Sequence, residues 1–208
     1  MEETKSLEPR NQDDSLPGYS LIDLENKHKT PILITPAQEL SFPLSSTDLR
    51  DISILEAKFD QEKNCAGLAA PQIGIGKQII VFAAPGDPDV KKWRSDFTQT
   101  MDKTIWINPV YEGIGQEKNE DYEACFSVPE VAGPVMRYKS IKFQAYTPTG
   151  DLVEGTAEGF LARIIQHEVD HVKGILYINY VPDGHLLKIE EYRRKRAAAM
   201  EAEQISSS

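Results

Sequence analysis

His167-Glu168-Val169-Asp170-His171 carries the spacing His-Glu-x-x-His, which has a chemical use. Residues i and i+4 lie on one face of a helix about one turn apart, so two imidazoles can converge on a single metal ion. Glu168 stands about 100° round the helix from His167 and can reach a water on that ion without being a ligand, which makes it the candidate general base. Phe160, Ile164, His167 and His171 step by four, three and four residues, so the histidines continue an apolar stripe. A dry wall suits a catalytic metal, because a low dielectric strengthens its field on bound water. The plainer alternative is a pair of core histidines hydrogen-bonded to backbone. An intervening glutamate on so apolar a stripe argues against it.

Two imidazoles need a third ligand. The metzincin extension of the pattern places Gly174 correctly but has Tyr177 where its last histidine belongs, so that reading fails. Two options stay open on the residues alone. A carboxylate from a downstream helix, Glu190 or Glu191, gives a gluzincin-like peptidase. Alternatively Cys125 lies upstream in Glu123-Ala124-Cys125-Phe126-Ser127, and one thiolate with two imidazoles is a known catalytic set for zinc or ferrous iron. Taken singly, a free cysteine is more often a small buried hydrophobe.

These residues must be held by regular elements. Residues 157–173 read as the strongest helix, with Gly174 placed as its C-terminal cap. Leu49, Ile52, Leu55 and Phe59 recur at helical spacing after a cap at Ser46 or Thr47. Residues 64–76 are rich in Gly and Ala and suit a tight loop against a neighbour. Residues 78–83 and 104–111 read as buried strands. Ile141, Phe143 and Ala145 share a face of a strand over 140–146, and the turn at 148–151 returns the chain through Leu152 and Val153 as a hairpin. Residues 186–203 form a polar helix or frayed tail. This predicts one α+β domain, with antiparallel or mixed sheets packed around a central metal-binding helix. Residues 1–28 are predicted to be a flexible acidic extension, 29–185 the catalytic domain and 186–208 a charged C-terminal helix or tail.

The chain has 208 residues, 40% of them hydrophobic, enough for one domain with a real core. Its net charge of −10 and pI near 4.9 disfavour nucleic-acid backbones and anionic membranes as partners. The one short basic stretch, Arg193 to Arg196, is the candidate for any contact with RNA. Two cysteines do not make a secreted disulfide framework, and neither a membrane-length apolar run nor a leader pattern is evident. A cytoplasmic setting is expected.

Three segments together resemble the peptide deformylase family. Cys65-Ala66-Gly67-Leu68-Ala69-Ala70-Pro71-Gln72 is similar to its GxGxAAPQ motif, 123–127 to its EGCLS motif, and Gln166 to His171 meets QHExDH in full. The order and intervals also match, over about residues 30–182. The resemblance implies Cys125, His167 and His171 as ligands of one divalent ion, with Glu168 as general base and later proton donor. Fe2+ is the ion expected in cells, with Zn2+, Ni2+ or Co2+ accommodated as isolated. It implies that the Gln72 side chain and the Phe126 backbone N–H bind the oxyanion. It also implies a methionine pocket bordered by Ala66, Gly67, Glu123, Phe160 and Ile164, and a peptide track along Gly67 and Ala124. The partners implied are formylated peptide N-termini, with transient contact to the ribosome.

Four positions depart from the pattern: Cys65 and Ala124 replace glycines, Phe126 replaces Leu, and Ala132 stands where a basic residue is usual. None is an expected ligand or the base, so the chemistry is expected to survive. A second alternative is therefore a deformylase-derived metal-binding protein with altered or lost substrate specificity. Asp170 is either a residue that orients a histidine or a solvated helix residue.

Overall fold

The computed structural model describes residues 15–24, 28–86, 94 and 96–206. Its elements are β1 (Ile22–Asp23), β2 (His28–Lys29), α1 (Ser46–Gln61), β3 (Gly67–Ala69), β4 (Ile79–Ala84), β5 (Met101–Gly113), β6 (Lys118–Cys125), β7 (Val128–Tyr138), β8 (Ser140–Tyr146), β9 (Leu152–Glu158), α2 (Gly159–Val172), β10 (Leu187–Lys188) and α3 (Ile189–Ser206). Short 3-10 turns at Pro31–Leu33, Ala70–Ile73 and Tyr177–Asn179 link them.

The strands form a five-stranded sheet in the order β3-β4-β5-β8-β9, a three-stranded sheet β10-β7-β6 and the pair β1-β2. All of these pairings are antiparallel, and the parallel contact present is an isolated bridge between Gln38 and Lys77. Among the described residues, no helix is long and apolar enough to cross a membrane.

Strand β4 explains how the layers stack. Ile80, Phe82 and Ala84 turn into one core, with Trp106, Ile141, Phe143 and the α2 residues Leu161, Ile165 and Val169. Ile79 and Val81 turn the other way, into a second core with Ile52, Leu55 and Phe59 of α1. A strand covered on both faces needs apolar side chains on both, which is why its sequence does not alternate.

Helix α2 is buried around nearly its whole girth, from Leu161 to Val172 with His167 the least enclosed. Ala157 and Glu158, read from sequence as helical, close β9 instead. The helix ends in a Schellman motif: Gly174 N–H donates to His171 O at 3.1 Å and Ile175 N–H to Asp170 O at 2.9 Å. Gly174 has φ +73°, and a Cβ there would lie 2.7 Å from the Thr35 carbonyl carbon, so this stop requires glycine.

Residues 15–24, expected to be part of a flexible extension, lie on the domain, with Ile22 only 3% exposed. The first part of that expected extension falls outside the described residues. The polar segment after 186 is helical over Ile189–Ser206.

Helix α1 begins one residue earlier than expected, capped by Ser45. Ser45 Oγ accepts from Asp48 N–H at 3.2 Å, while Asp48 Oδ2 accepts from Ser45 N–H at 2.9 Å, a reciprocal capping box. Lys77 Nζ also donates to Asp48 Oδ1 at 2.6 Å. The hydrogen bonds from Lys77 and Ser45 lower the Asp48 carboxyl to about 2 from 3.8. A carboxylate whose pKa is lowered on folding adds stability above its unfolded pKa and loses it as the pH falls through the folded value. Asp48→Asn should therefore unfold at lower temperature than the wild type at pH 7. The difference should shrink as the pH falls from about 4 to about 2, checked by thermal denaturation across that range. A gap that stays constant would show that the charge contributes nothing.

Candidate active site

The His-Glu-x-x-His segment occupies the C-terminal part of α2, and Cys125 ends β6, beside the two-residue turn Phe126-Ser127 that leads into β7. Fold and motif thus bring a helix end and a hairpin tip together. One ligand-type atom from each of Cys125, His167 and His171 lies within 4.8 Å of the others. Cys125 Sγ is 3.3 Å from His171 Nε2. Neither Glu190 nor Glu191 joins the group: Glu190 is exposed, and Glu191 pairs with Lys195 at 2.9 Å on the surface of α3.

The surroundings test whether this donor set fits a metal. His167 Nδ1 lies 2.8 Å from Glu123 Oε2, so the proton belongs on Nδ1 and the Nε2 lone pair is left for an ion. Burial works against a charge on His167, but hydrogen bonds to Cys125 and Glu123 outweigh it and draw its pKa well up, so an ion binding at Nε2 would displace a proton there. His171 is the reverse: burial and the nearby His167 keep it neutral, the form that ligates. The Cys125 sulfur receives Gln72 Nε2–H at 3.2 Å and Ser127 N–H at 3.4 Å, the donors a thiolate wants. One sulfur and two imidazoles, oriented in this way, suit a zinc- or iron-type ion.

Glu168 is 4% exposed, and its Oε2 has no hydrogen-bond partner among the described residues. Burial raises its carboxyl to about 7 from 4.5. Its side chain lies over Gly67, where a Cβ would sit 2.4 Å from Oε1. The glycine of the first motif is thus the space that Glu168 occupies. Gln72 is 1% exposed and locked in place: its Oε1 accepts from Ala69 N–H at 2.8 Å, which turns the amide nitrogen towards Cys125.

The other expected substrate-side residues divide. Ala66 and Phe160 are half-buried and Ile164 buried, all in the α2 core cluster, and Ala124 is exposed on β6. Glu123, expected at the border of the methionine pocket, has its carboxylate turned into an ion-pair network. Its carboxylate is 6% exposed and taken up by His167, by Arg137 through two hydrogen bonds of 2.9 Å, and by Arg163 Nη1 at 2.8 Å. Burial opposes its ionisation, but the bonds to His167 and Arg137 hold its pKa well below the usual range.

Asp170 orients no histidine. It pairs with Arg137 Nη1 and accepts from Tyr111 OH at 3.3 Å. Ala132 is fully buried on β7, where Leu187 of β10 pairs with it. Cys65 packs as a free thiol and donates to Gly67 O at 3.1 Å. Tyr177, in the place of the missing metzincin histidine, stacks on His167 with centroids 6.1 Å apart.

Arg137, Arg163 and Gln166 were not singled out from sequence. Gln166 donates to Tyr138 O at 2.9 Å and accepts from Tyr138 N–H at 3.0 Å, fastening α2 to the end of β7. A lone Arg163 in the apolar run 161–165 is a readable sign of a buried anion nearby. Arg137→Met should lower stability by about 3–5 kcal/mol, because it strands Glu123 and Asp170 without their shared cation. It should also lower the bound-metal stoichiometry through the loss of a fixed His167. Urea unfolding and metal analysis would check both, and wild-type values for both would remove Arg137 from the site's support.

Comparison with known proteins agrees with this geometry. A family model described as polypeptide deformylase matches residues 26–185. Peptide deformylase 2 of Rickettsia conorii is 53% identical over 195 residues, covering 93% of this chain and 96% of that protein. Peptide deformylase 1 of Nitrosomonas europaea is 35% identical over 150 residues, 71% of this chain and 80% of that protein. A crystal structure of class I type b peptide deformylase from Acinetobacter baumannii with Met-Ala-Ser bound superposes with a TM-score of 0.67 at 30% identity, covering 80% of this chain and 99% of that one. The structure from Ehrlichia chaffeensis, at 23% identity and a TM-score of 0.66 over 93% of this chain and 97% of that one, shares the fold. With its three motifs meeting at one cluster and a matching family model over most of its length, the chain belongs to the polypeptide deformylase family.

Proposed function

We propose that this chain hydrolyses the N-formyl group from the N-terminal formylmethionine of nascent polypeptides and releases formate. The observation that carries the reading is the meeting of Cys125, His167 and His171 beside the buried Glu168, whose Oε2 has no hydrogen-bond partner among the described residues. In the reaction, water adds its oxygen to the formyl carbon, the C–N bond breaks, and the amine nitrogen takes up a proton. A divalent ion held by the three ligands supplies a Lewis acid and lowers the pKa of water towards about 7.

Glu168 takes the water proton on Oε2 and delivers it to the departing amine, a role for which its dry niche above Gly67 suits it. Gln72 has one N–H on the Cys125 sulfur, and its second can meet the charge that develops on the formyl oxygen, together with the Phe126 backbone N–H. Strands β3 and β6 are outer strands of their sheets, so Gly67 and Ala124 offer free backbone edges for an extended peptide. Ala66, Phe160 and Ile164 supply apolar surface for the methionine side chain. The Met-Ala-Ser ligand of the Acinetobacter relative is a peptide of the kind this track would hold.

The work belongs in the cytoplasm, on chains leaving the ribosome, and the exposed Arg193–Arg196 face of α3 is the basic surface for a transient approach. Fe2+ is the ion proposed in cells, since softness admits several metals at such a site and availability selects among them.

Glu168→Gln should keep a full complement of metal and lose about 10²–10⁴-fold in kcat on formyl-Met-Ala-Ser. Wild-type turnover by a metal-loaded Glu168→Gln would remove the general-base role, and an inactive metal-loaded wild type would remove the function. Exposure to air or peroxide should inactivate the iron form faster than the zinc or nickel form, because ferrous iron generates oxidant beside the Cys125 sulfur. Equal inactivation rates across metals would reduce the effect to direct thiol oxidation.

A further inference from the structure

Four residues ahead of the family match make contacts that packing alone does not require. Ser20 N–H donates to the Gln72 carbonyl at 2.7 Å, and Ile22 N–H donates to the Ser127 carbonyl at 2.8 Å. Just before them in the chain, the Tyr19 ring stacks on Phe126 with centroids 5.0 Å apart and planes 5° from parallel. Gln72 belongs to the 3-10 turn that follows β3 of the five-stranded sheet, whereas Phe126 and Ser127 are the turn of the β6–β7 hairpin in the other sheet. One short segment therefore grips both sides of the Cys125 sulfur.

We infer that Tyr19–Ile22 is an internal clamp that fixes the two oxyanion-binding groups, Gln72 and the Phe126 N–H, relative to each other, with Tyr19 as a positioning residue. The inference rests on the oxyanion roles proposed above. The clamp is itself anchored. Lys58 Nζ lies over the Tyr19 ring, 4.6 Å from its centroid, and is tied to Glu62 at 2.9 Å. Thr30 Oγ1 donates to Leu21 O at 2.7 Å, and Ile22 is buried against the core that includes Cys125. Tyr19 is thus held between the end of α1 and the hairpin turn.

A two-residue turn has no strand neighbour of its own to keep an N–H aimed at a reacting oxygen. Oxyanion donors must lie within about 2.7–3.1 Å of where the charge develops. A flat ring stacked on Phe126 removes the rocking freedom of that turn, and the two backbone hydrogen bonds prevent the sheets from sliding apart. Phe126 stands where the motif usually has Leu, and an aromatic ring there is what makes a face-to-face partner at position 19 useful. Because the oxyanion contact strengthens only as the reaction proceeds, loosening it should appear in kcat and leave KM alone.

The test uses the full chain loaded with metal: wild type, Tyr19→Ala and Tyr19→Phe, assayed on formyl-Met-Ala-Ser. Metal content, thermal midpoint and amide hydrogen exchange of the peptide covering 123–128 are measured alongside. Tyr19→Ala should lose about tenfold in kcat, short of the hundredfold that a 1 Å misplacement can cost. Its KM should stay within about twofold and its metal content at the wild-type level, with faster exchange over 123–128. Tyr19→Phe keeps the ring and should restore both kcat and exchange. A Tyr19→Ala protein with wild-type kcat, one whose activity falls only in step with lost metal or lost fold, or a Tyr19→Phe protein as slow as Tyr19→Ala would each overturn the inference. An inactive wild type would overturn the parent reading instead. In that case the exchange measurement still judges the clamp, and unchanged protection over 123–128 in Tyr19→Ala would overturn it.

Discussion

Glu123 is an anion in the interior of the protein, and the rest of the site is arranged around keeping it there. A buried carboxylate with no partner is too costly to persist, so its charge has to be matched by cations and hydrogen-bond donors. Arg137 from β7 and Arg163 from α2 provide the match, and His167 shares Oε2 with Arg137. Arg137 then continues to Asp170, in the last turn of α2. The network joins β6, β7 and α2 by directional contacts, whereas apolar packing alone would let the helix rotate against the hairpin. The orientation of His167 is a by-product of this constraint.

The same economy shows along α2. A helix enclosed on all sides would ordinarily be apolar all round, yet this one carries Arg163, Gln166, His167, Glu168, Asp170 and His171. Most have a partner in a different strand or turn: Glu123, Tyr138, Tyr111 or the Cys125 sulfur. Among the described residues, Glu168 Oε2, Arg163 Nε and His171 Nδ1 are the buried polar atoms of this helix without a partner, and the Glu168 side chain faces a glycine.

How much of this was readable from residues depended on periodicity. Helix α2, strand β4 and the β8–β9 hairpin have apolar patterns that match their surroundings, and the motifs picked out the three residues that cluster, Cys125, His167 and His171. The β6–β7 hairpin was not legible. Its inward positions hold Glu123 and Arg137, which satisfy each other, so charge pairing takes the place of the apolar alternation that marks a strand. The ion-pair network of Glu123 was not legible for the same reason, since a carboxylate's partners lie far off in sequence. The cap of α1 could have been settled, because among Ser45, Ser46 and Thr47 only Ser45 has an acidic residue three places on. Tyr19 gave no signal, since it follows a Pro-Gly turn and its stacking partner is distant in the chain.

Strands β3 and β6 are each the last strand of their sheet, and among the described residues each has one edge that no further strand covers. A main-chain edge recognises the repeating amide unit common to every protein and is indifferent to what projects from it. Past the first residue, then, selectivity is set aside by construction. As the proposed peptide track, such a surface would read a whole proteome with one grammar, and the charged side chains along β6, Lys118, Glu120 and Asp121, would discourage a second folded sheet from docking there in place of a passing chain end.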